Sequence, residues 1–212
     1  MLEVLGLACT RGERNLFSDV SFKLESRELL QVAGANGSGK TSLLRMVCGL
    51  GAPDAGEIRW RGEPIRTLRE AYWRELVYIG HTNALKDDLS AAENLHVACR
   101  FAGRHVMQAA IREALAQFGL ESCAQLPTRA LSQGQKRRSA LARLALNRET
   151  PLWILDEPFS ALDATALAHL ENLIGSYVDD GGSVIFTTHQ DAAIAARVSQ
   201  RIDLDAGKAA AC

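Results

Sequence analysis

The segment Gly34-Ala35-Asn36-Gly37-Ser38-Gly39-Lys40-Thr41 fits G-x-x-x-x-G-K-[ST] at every defined position. No other feature narrows the folding options of the chain as far. The glycines let the backbone curl so that successive N–H groups face inward, where phosphate oxygens can sit. A helix starting at the end of the loop adds its positive N-terminal pole. Lys40 reaches the β- and γ-phosphates of a nucleotide, and the Thr41 hydroxyl is a ligand for Mg²⁺, a hard cation that takes oxygen. A chance glycine-rich turn would lack the flanking elements. Here the apolar run Glu28 to Ala33 reads as a strand, and Thr41 to Cys48 has helical character.

The rest of the chain alternates in the same style. Strands are expected at Met1 to Ala8, Val20 to Leu24, Gly56 to Trp60 and Leu76 to Ile79. From about Ser90 to Leu146 the apolar residues instead repeat at helical spacing, as with Ile111, Leu115 and Phe118. This block interrupts the alternation and predicts a small helical lobe, about residues 84–147, inserted in an α/β core. After it come a strand (Leu152 to Leu155), a helix (Thr165 to Tyr177), a strand (Ser183 to Thr187), a helix near Asp191 to Val198 and a strand near Arg201 to Leu204. The Ala-rich end, Ala209 to Ala211, reads as frayed.

With 212 residues the expectation is one domain spanning 1–212. Its 24 basic and 25 acidic residues leave a net charge of -1, which argues against nucleic acid as the main partner. The cluster Lys136, Arg137, Arg138 reads as a solvated helix face. Cys9, Cys48, Cys99, Cys123 and Cys212 are odd in number and far apart, which predicts reduced thiols and neither a disulfide frame nor a zinc site. Met1 to Thr10 lacks the order of a signal peptide, and no apolar run approaches the roughly 20 residues that span a bilayer. Work at a membrane would then require a second, membrane-crossing chain. His96, His105 and His169 read as surface or core histidines.

Two acids end the apolar strand Leu152-Trp153-Ile154-Leu155-Asp156-Glu157. The strand carries Asp156 to the edge of the sheet beside the phosphate loop, where it can hold Mg²⁺ through water. Glu157 points elsewhere, because side chains alternate along a strand, and is placed to polarise an attacking water. Alone, the pair would be an ordinary solvated strand end; beside a phosphate loop it is a candidate for hydrolysis.

Leu131-Ser132-Gln133-Gly134-Gln135 precedes a helix expected over Lys136 to Leu146. Here the sequence resembles the ATP-binding cassette family, whose signature is usually L-S-G-G-Q; Gln133 is a departure at the third position. Ser132 follows Lys40 by 92 positions, Asp156 follows by a further 24 and His189 by a further 33, in the family's order. The resemblance runs from Met1 to about Asp205 and implies a P-loop cassette with an antiparallel β subdomain and a helical subdomain. It implies ATP bound by Gly34 to Ser42 together with Ser132, Gly134 and Gln135 of a second copy, so that two cassettes clamp the nucleotides. Ser160-Ala161-Leu162-Asp163 looks like the loop that crosses between cassettes, which brings Asp163 into the set. His189 looks like the switch histidine of the γ-phosphate. Lys40, Glu157 and His189 are the implied catalytic residues, and Thr41 and Asp156 the implied Mg²⁺ ligands.

Two positions depart from the family pattern. Arg11 stands where an aromatic residue usually stacks on adenine; it is either a stacking guanidinium or a solvated turn arginine. His81, nine residues before Ser90, stands where the family has a glutamine near the metal. Neutral imidazole suits Mg²⁺ poorly, so contact through water is the expectation.

Gly80-His81, the run from Leu131 to Arg138, and Thr187-Thr188-His189-Gln190 resemble one branch, the ATP-binding subunit of the bacterial haem exporter used in cytochrome c maturation. That resemblance implies a peripheral subunit on the cytoplasmic face of the inner membrane, docked on integral membrane subunits through the helical lobe. Haem would be handled by the complex and not by this chain alone. The alternatives are another small exporter ATPase or a soluble cassette ATPase of repair or translation. Against the latter stand the lack of a long heptad insertion and the presence of one cassette only. A small P-loop kinase or GTPase has no place for Leu131 to Gln135.

Overall fold

A computed structural model describes residues 1–189 and 193–205. The chain opens with β1 (Leu2–Arg11) and β2 (Arg14–Leu24), an antiparallel hairpin. Both strands run further than their apolar cores suggest, because they continue to a tight turn at Gly12 and Glu13. Next come β3 (Leu29–Ala33), the loop of residues 34–39 and α1 (Lys40–Val47). Then follow β4 (Ala55–Trp60), β5 (Glu63–Pro64), the short helices α2 (Ile65–Leu68) and α3 (Glu70–Trp73), and β6 (Leu76–Ile79). The helical block holds α4 (Ala91–Phe101), α5 (Gln108–Gln117) and α6 (Gln133–Leu141), with short turns between α5 and α6. The chain then forms β7 (Leu152–Leu155), α7 (Ala164–Asp179), β8 (Ser183–Thr187) and β9 (Gln200–Asp203).

Two sheets result. One is antiparallel, in the order β2-β1-β4-β5; the other is parallel, in the order β6-β7-β8-β3-β9. The parallel sheet is covered on both faces, which explains its unbroken apolar strands. Alternation along β7 sends Trp153 and Leu155 to one core with α7 and the helical block. It sends Leu152 and Ile154 to the other, with α1 and the antiparallel sheet. The expected α/β alternation and helical insertion are present, and the phosphate loop leaves the carboxyl end of β3 as its motif requires.

Two local expectations need correction. The helix after the signature segment covers Gln133–Leu141 and not Lys136 to Leu146. A capping box at Ser132 starts it early, and beyond Leu141 the backbone tightens into i→i+3 bonds such as Leu144 to Leu141. Near the end, the expected helix is present as a 3₁₀-helix over Ala193–Arg197. Gln190, Asp191 and the Ala209 to Ala211 end, with Cys212, lie outside the described residues. Finally, β7 is an interior strand; Asp156 sits just past its carboxyl end, with its N–H bonded to the Ile79 carbonyl at 2.8 Å.

Candidate active site

Lys40 is the first residue of α1 and is buried. Its ammonium donates to the carbonyls of Gly34 (2.7 Å) and Ala35 (3.0 Å), so it folds back over its own loop. The loop is braced from below: Ser38 N–H donates to Ala35 O at 3.1 Å, and the Asp205 carboxylate accepts from the Ala35 N–H. Gly39 has φ 109, and a Cβ there would lie 2.9 Å from the Phe17 ring, so only glycine turns the chain into α1.

Facing the loop is a chain of hydrogen bonds at the carboxyl ends of the strands. Thr41 Oγ1 donates to Asp156 Oδ2 at 2.8 Å, and Thr187 Oγ1 donates to Asp156 Oδ1 at 2.8 Å. Thr187 Oγ1 in turn accepts the Glu157 N–H at 2.8 Å. Asp156 is 1% exposed, so hydroxyl donors on both oxygens are what make its burial tolerable. Its charge also reaches Tyr78: burial first, then Asp156, pushes that hydroxyl up to about 12. Glu157 has φ 51, a left-handed backbone that costs a non-glycine residue about 1–3 kcal/mol. It persists because the surroundings hold it. Its carboxylate ends 3.3 Å from His189 Nε2.

An open cavity of about 540 Å³ gathers these groups. Arg11, Asn36, Gly37, Gly39, Lys40, Thr41, Ser42, His81, Asp156, Glu157, Ser160 and His189 line it. Gly34, Ala35 and Ser38 belong to the same loop but do not line the cavity. Arg11 reaches the cavity from the end of β1, beside the hairpin turn. Thr41 and Asp156 present two hard oxygens in hydrogen-bond contact, a pairing that suits a Mg²⁺ completed by nucleotide oxygens and water. Among the described residues no group of three or more His, Cys, Asp or Glu side chains could hold a metal by itself.

Ser132, Gly134, Gln135 and Asp163 do not line this cavity. Ser132 caps α6: its hydroxyl accepts the Gln135 N–H at 3.2 Å, and the Gln135 side chain accepts the Ser132 N–H at 2.8 Å. A Cβ on Gly134 would lie 3.0 Å from the Ala161 carbonyl, which explains the glycine. Asp163 caps α7 by accepting the Ala166 N–H at 2.8 Å. Ser132 and Asp163 are exposed.

The basic cluster on α6 is not a solvated face. Arg137 is 2% exposed and donates to four oxygens: Gly80 O (2.9 Å), Asn83 Oδ1 (3.2 Å), Asp156 O (3.0 Å) and Glu157 O (2.7 Å). Arg138 donates to Phe118 O at 3.1 Å, and Lys136 pairs with Asp87 at 3.4 Å. Arg137 lies on the buried side of α6, with Ala140 and Leu141. Burial lowers its pKa, and Asp156 and Glu157 work in the opposite direction. Thr187 and Asp205 are further residues that sequence reasoning missed. A threonine ending an apolar strand was the available sign for the first; for the second there was none.

The profile of the family described as ABC transporter matches residues 17–160. The chain is 51% identical to the cytochrome c biogenesis ATP-binding export protein CcmA of Aromatoleum aromaticum, over 92% of this chain and 91% of that protein. It is 47% identical to the protein of the same name from Escherichia coli strain K12, over 99% of each. The chain belongs to the ABC transporter family. A solved dimeric structure of a post-hydrolysis state of the ATP-binding cassette MJ0796, bound to ADP and Pi, superposes with a TM-score of 0.79 at 25% identity, covering 90% of this chain and 88% of that one. As an ABC cassette, this protein binds ATP and hydrolyses it as a subunit of an ABC-type transporter. Among the described residues no helix is long and apolar enough to cross a membrane.

Proposed function

We propose that the protein is the ATPase motor of a bacterial haem exporter serving cytochrome c biogenesis, attached to the cytoplasmic face of the inner membrane through integral membrane subunits. Support comes from the 51% and 47% identical relatives, which are named as cytochrome c biogenesis export proteins. The haem itself is handled by the assembled complex. The whole chain is read as one nucleotide-binding domain with a helical lobe of about residues 84–147, whose surface meets the membrane subunits.

The observation that carries the chemistry is the bonded series Thr41, Asp156, Thr187, Glu157, ending 3.3 Å from His189. In the proposed reaction Lys40 exchanges its two carbonyl partners for β- and γ-phosphate oxygens, and the loop N–H groups of residues 34–41 with Ser42 hold the rest of the phosphate chain. Thr41 and Asp156 would hold Mg²⁺, with His81 lining the same cavity within reach of it through water. Bound there, the ion would supply positive charge against the phosphate chain. Glu157 orients a water molecule whose oxygen attacks the γ-phosphorus. The bond from that phosphorus to the β,γ-bridging oxygen breaks, and ADP and phosphate leave, the water's proton passing to Glu157 or phosphate. His189 donates to the γ-phosphate as charge shifts. Arg11 stacks on the adenine. Two copies pair head to tail, so that Ser132, Gly134 and Gln135 of one copy face the γ-phosphate held by the other and Asp163 lies across the junction; closing and reopening drive the membrane chains.

Purifying Glu157→Gln from membranes with its native partners tests this. The expected product is a pair of cassettes with ATP trapped, integral proteins attached and a haem absorbance band on the complex. Recovery only as a free chain without membrane proteins would overturn the transporter assignment. An intact complex lacking haem under haem-replete growth would overturn the cargo alone.

A further inference from the structure

We propose that Arg137 is the positioning residue for Glu157, and that through it the loop carrying His81 sets the orientation of that carboxylate. The inference rests on the reading of Glu157 as the residue that orients the attacking water.

The geometry is specific. One guanidinium spans two segments from a third. Nη1 reaches Gly80 O at 2.9 Å and Asn83 Oδ1 at 3.2 Å, on either side of His81. Nη2 reaches Asp156 O at 3.0 Å and Glu157 O at 2.7 Å. Arg137 itself rides on α6, the helix that starts at Ser132. A planar fork fixes the separation of its two partners in a way that a flexible ammonium or a carboxamide does not.

Glu157 is the place where such a tie has an effect. Its φ of 51 is a conformation that an L residue abandons unless it is held. Its N–H is tied to Thr187, and its carbonyl accepts from Arg137, from Ser160 Oγ at 2.9 Å and from Ser160 N–H at 3.2 Å. Releasing the carbonyl lets the residue relax toward extended backbone, which turns the carboxylate away from His189. A purely structural strut would be better served otherwise. Among the described residues Arg137 forms no ion pair at bonding distance with a carboxylate, and its buried Nε has no partner, a costly way to fill a core.

The full-length chain carrying Arg137→Gln or Arg137→Lys tests this, with circular dichroism, ATP affinity and kcat measured on each. Expected is a fall in kcat of about tenfold or more, with Kd for ATP within about twofold. Arg137→Gln placed on Glu157→Gln is then expected to reduce single-turnover hydrolysis by less than about twofold further, since the group it positions is gone. An unchanged kcat, or the same fold loss in both backgrounds, overturns the proposal. If both variants fail to fold, Ser160→Ala decides: a lower kcat at unchanged affinity supports it and an unchanged kcat overturns it. Should Glu157→Gln alone leave turnover intact, the catalytic reading of Glu157 falls first and takes this inference with it.

Discussion

The phosphate loop and the signature segment bind opposite sides of the same phosphate in the proposed assembly, yet they are built on opposite principles. Around Lys40 the polar groups are drawn inward: Asp156 is buried, both its oxygens are bonded, and Glu157 is held in a strained backbone. Around Ser132 nothing converges. The serine and Gln135 satisfy each other in a capping box, and the helix start is presented to solvent. In that proposed assembly a single chain completes one half of a nucleotide site and only displays the other. Arg137 joins the two, since it lies on the helix that Ser132 starts and bonds to the backbone of Asp156 and Glu157.

The sharpest way to break this contrast is a mixing experiment. Ser132→Asp keeps a good helix cap but sets a negative charge where a phosphate would arrive, so turnover should be lost while the fold survives. Lys40→Ala should also be inactive. Mixed together, the two variants should regain turnover that neither shows alone, because a hybrid pair contains one intact loop facing one intact signature. Absence of recovery, with hybrid pairs verified, would mean that both halves serve one chain.

Smaller effects follow. Lys40→Ala should weaken ATP binding roughly 10–100-fold, the scale of a hydrogen bond to a charged group, measurable by equilibrium titration. Gly134→Val forces a side chain against the Ala161 carbonyl, which lies 3.0 Å from the position of its Cβ. Overpacking of this kind costs about 1–3 kcal/mol, to be read from urea unfolding, and should move the loop that holds Asp163. The smallest effect concerns the contact between α7 and the helical block. His169 on α7 meets Phe118 edge-on at 4.7 Å, and burial holds its pKa below the ordinary 6.5. The unfolded chain then takes up the proton first as the pH falls. The contribution is present above about pH 6.5 and is lost as pH drops from there through the folded value. His169→Phe should flatten that part of the stability profile; an unaltered slope between pH 7 and 5 would remove His169 from the account.

Much of the core was legible beforehand because its signals are local. The phosphate loop is contiguous, and its glycines are demanded by backbone geometry that only they supply. The strand from Leu152 to Leu155 announces burial on both faces by its unbroken apolar run, and its carboxyl end had to carry Asp156 and Glu157 to the mouth of the sheet. The helix start at Ser132 was less legible. A capping box depends on the third residue as well as the first, so the helix begins earlier than its basic run suggests. Arg137 was less legible still: read as one of three surface charges, it is a buried fork. A guanidinium looks the same in sequence whether it meets water or four protein oxygens.

From the order of residues alone came the P-loop, the strand-end acids, the signature and the family they resemble, since each is a pattern of neighbours along the chain. Only the tertiary structure decided that Thr187 bonds Asp156, that Asp205 braces Ala35 and that Arg137 spans two loops. Those contacts join residues up to 170 positions apart, and such pairings depend on how sheets stack and helices turn, which no local pattern encodes.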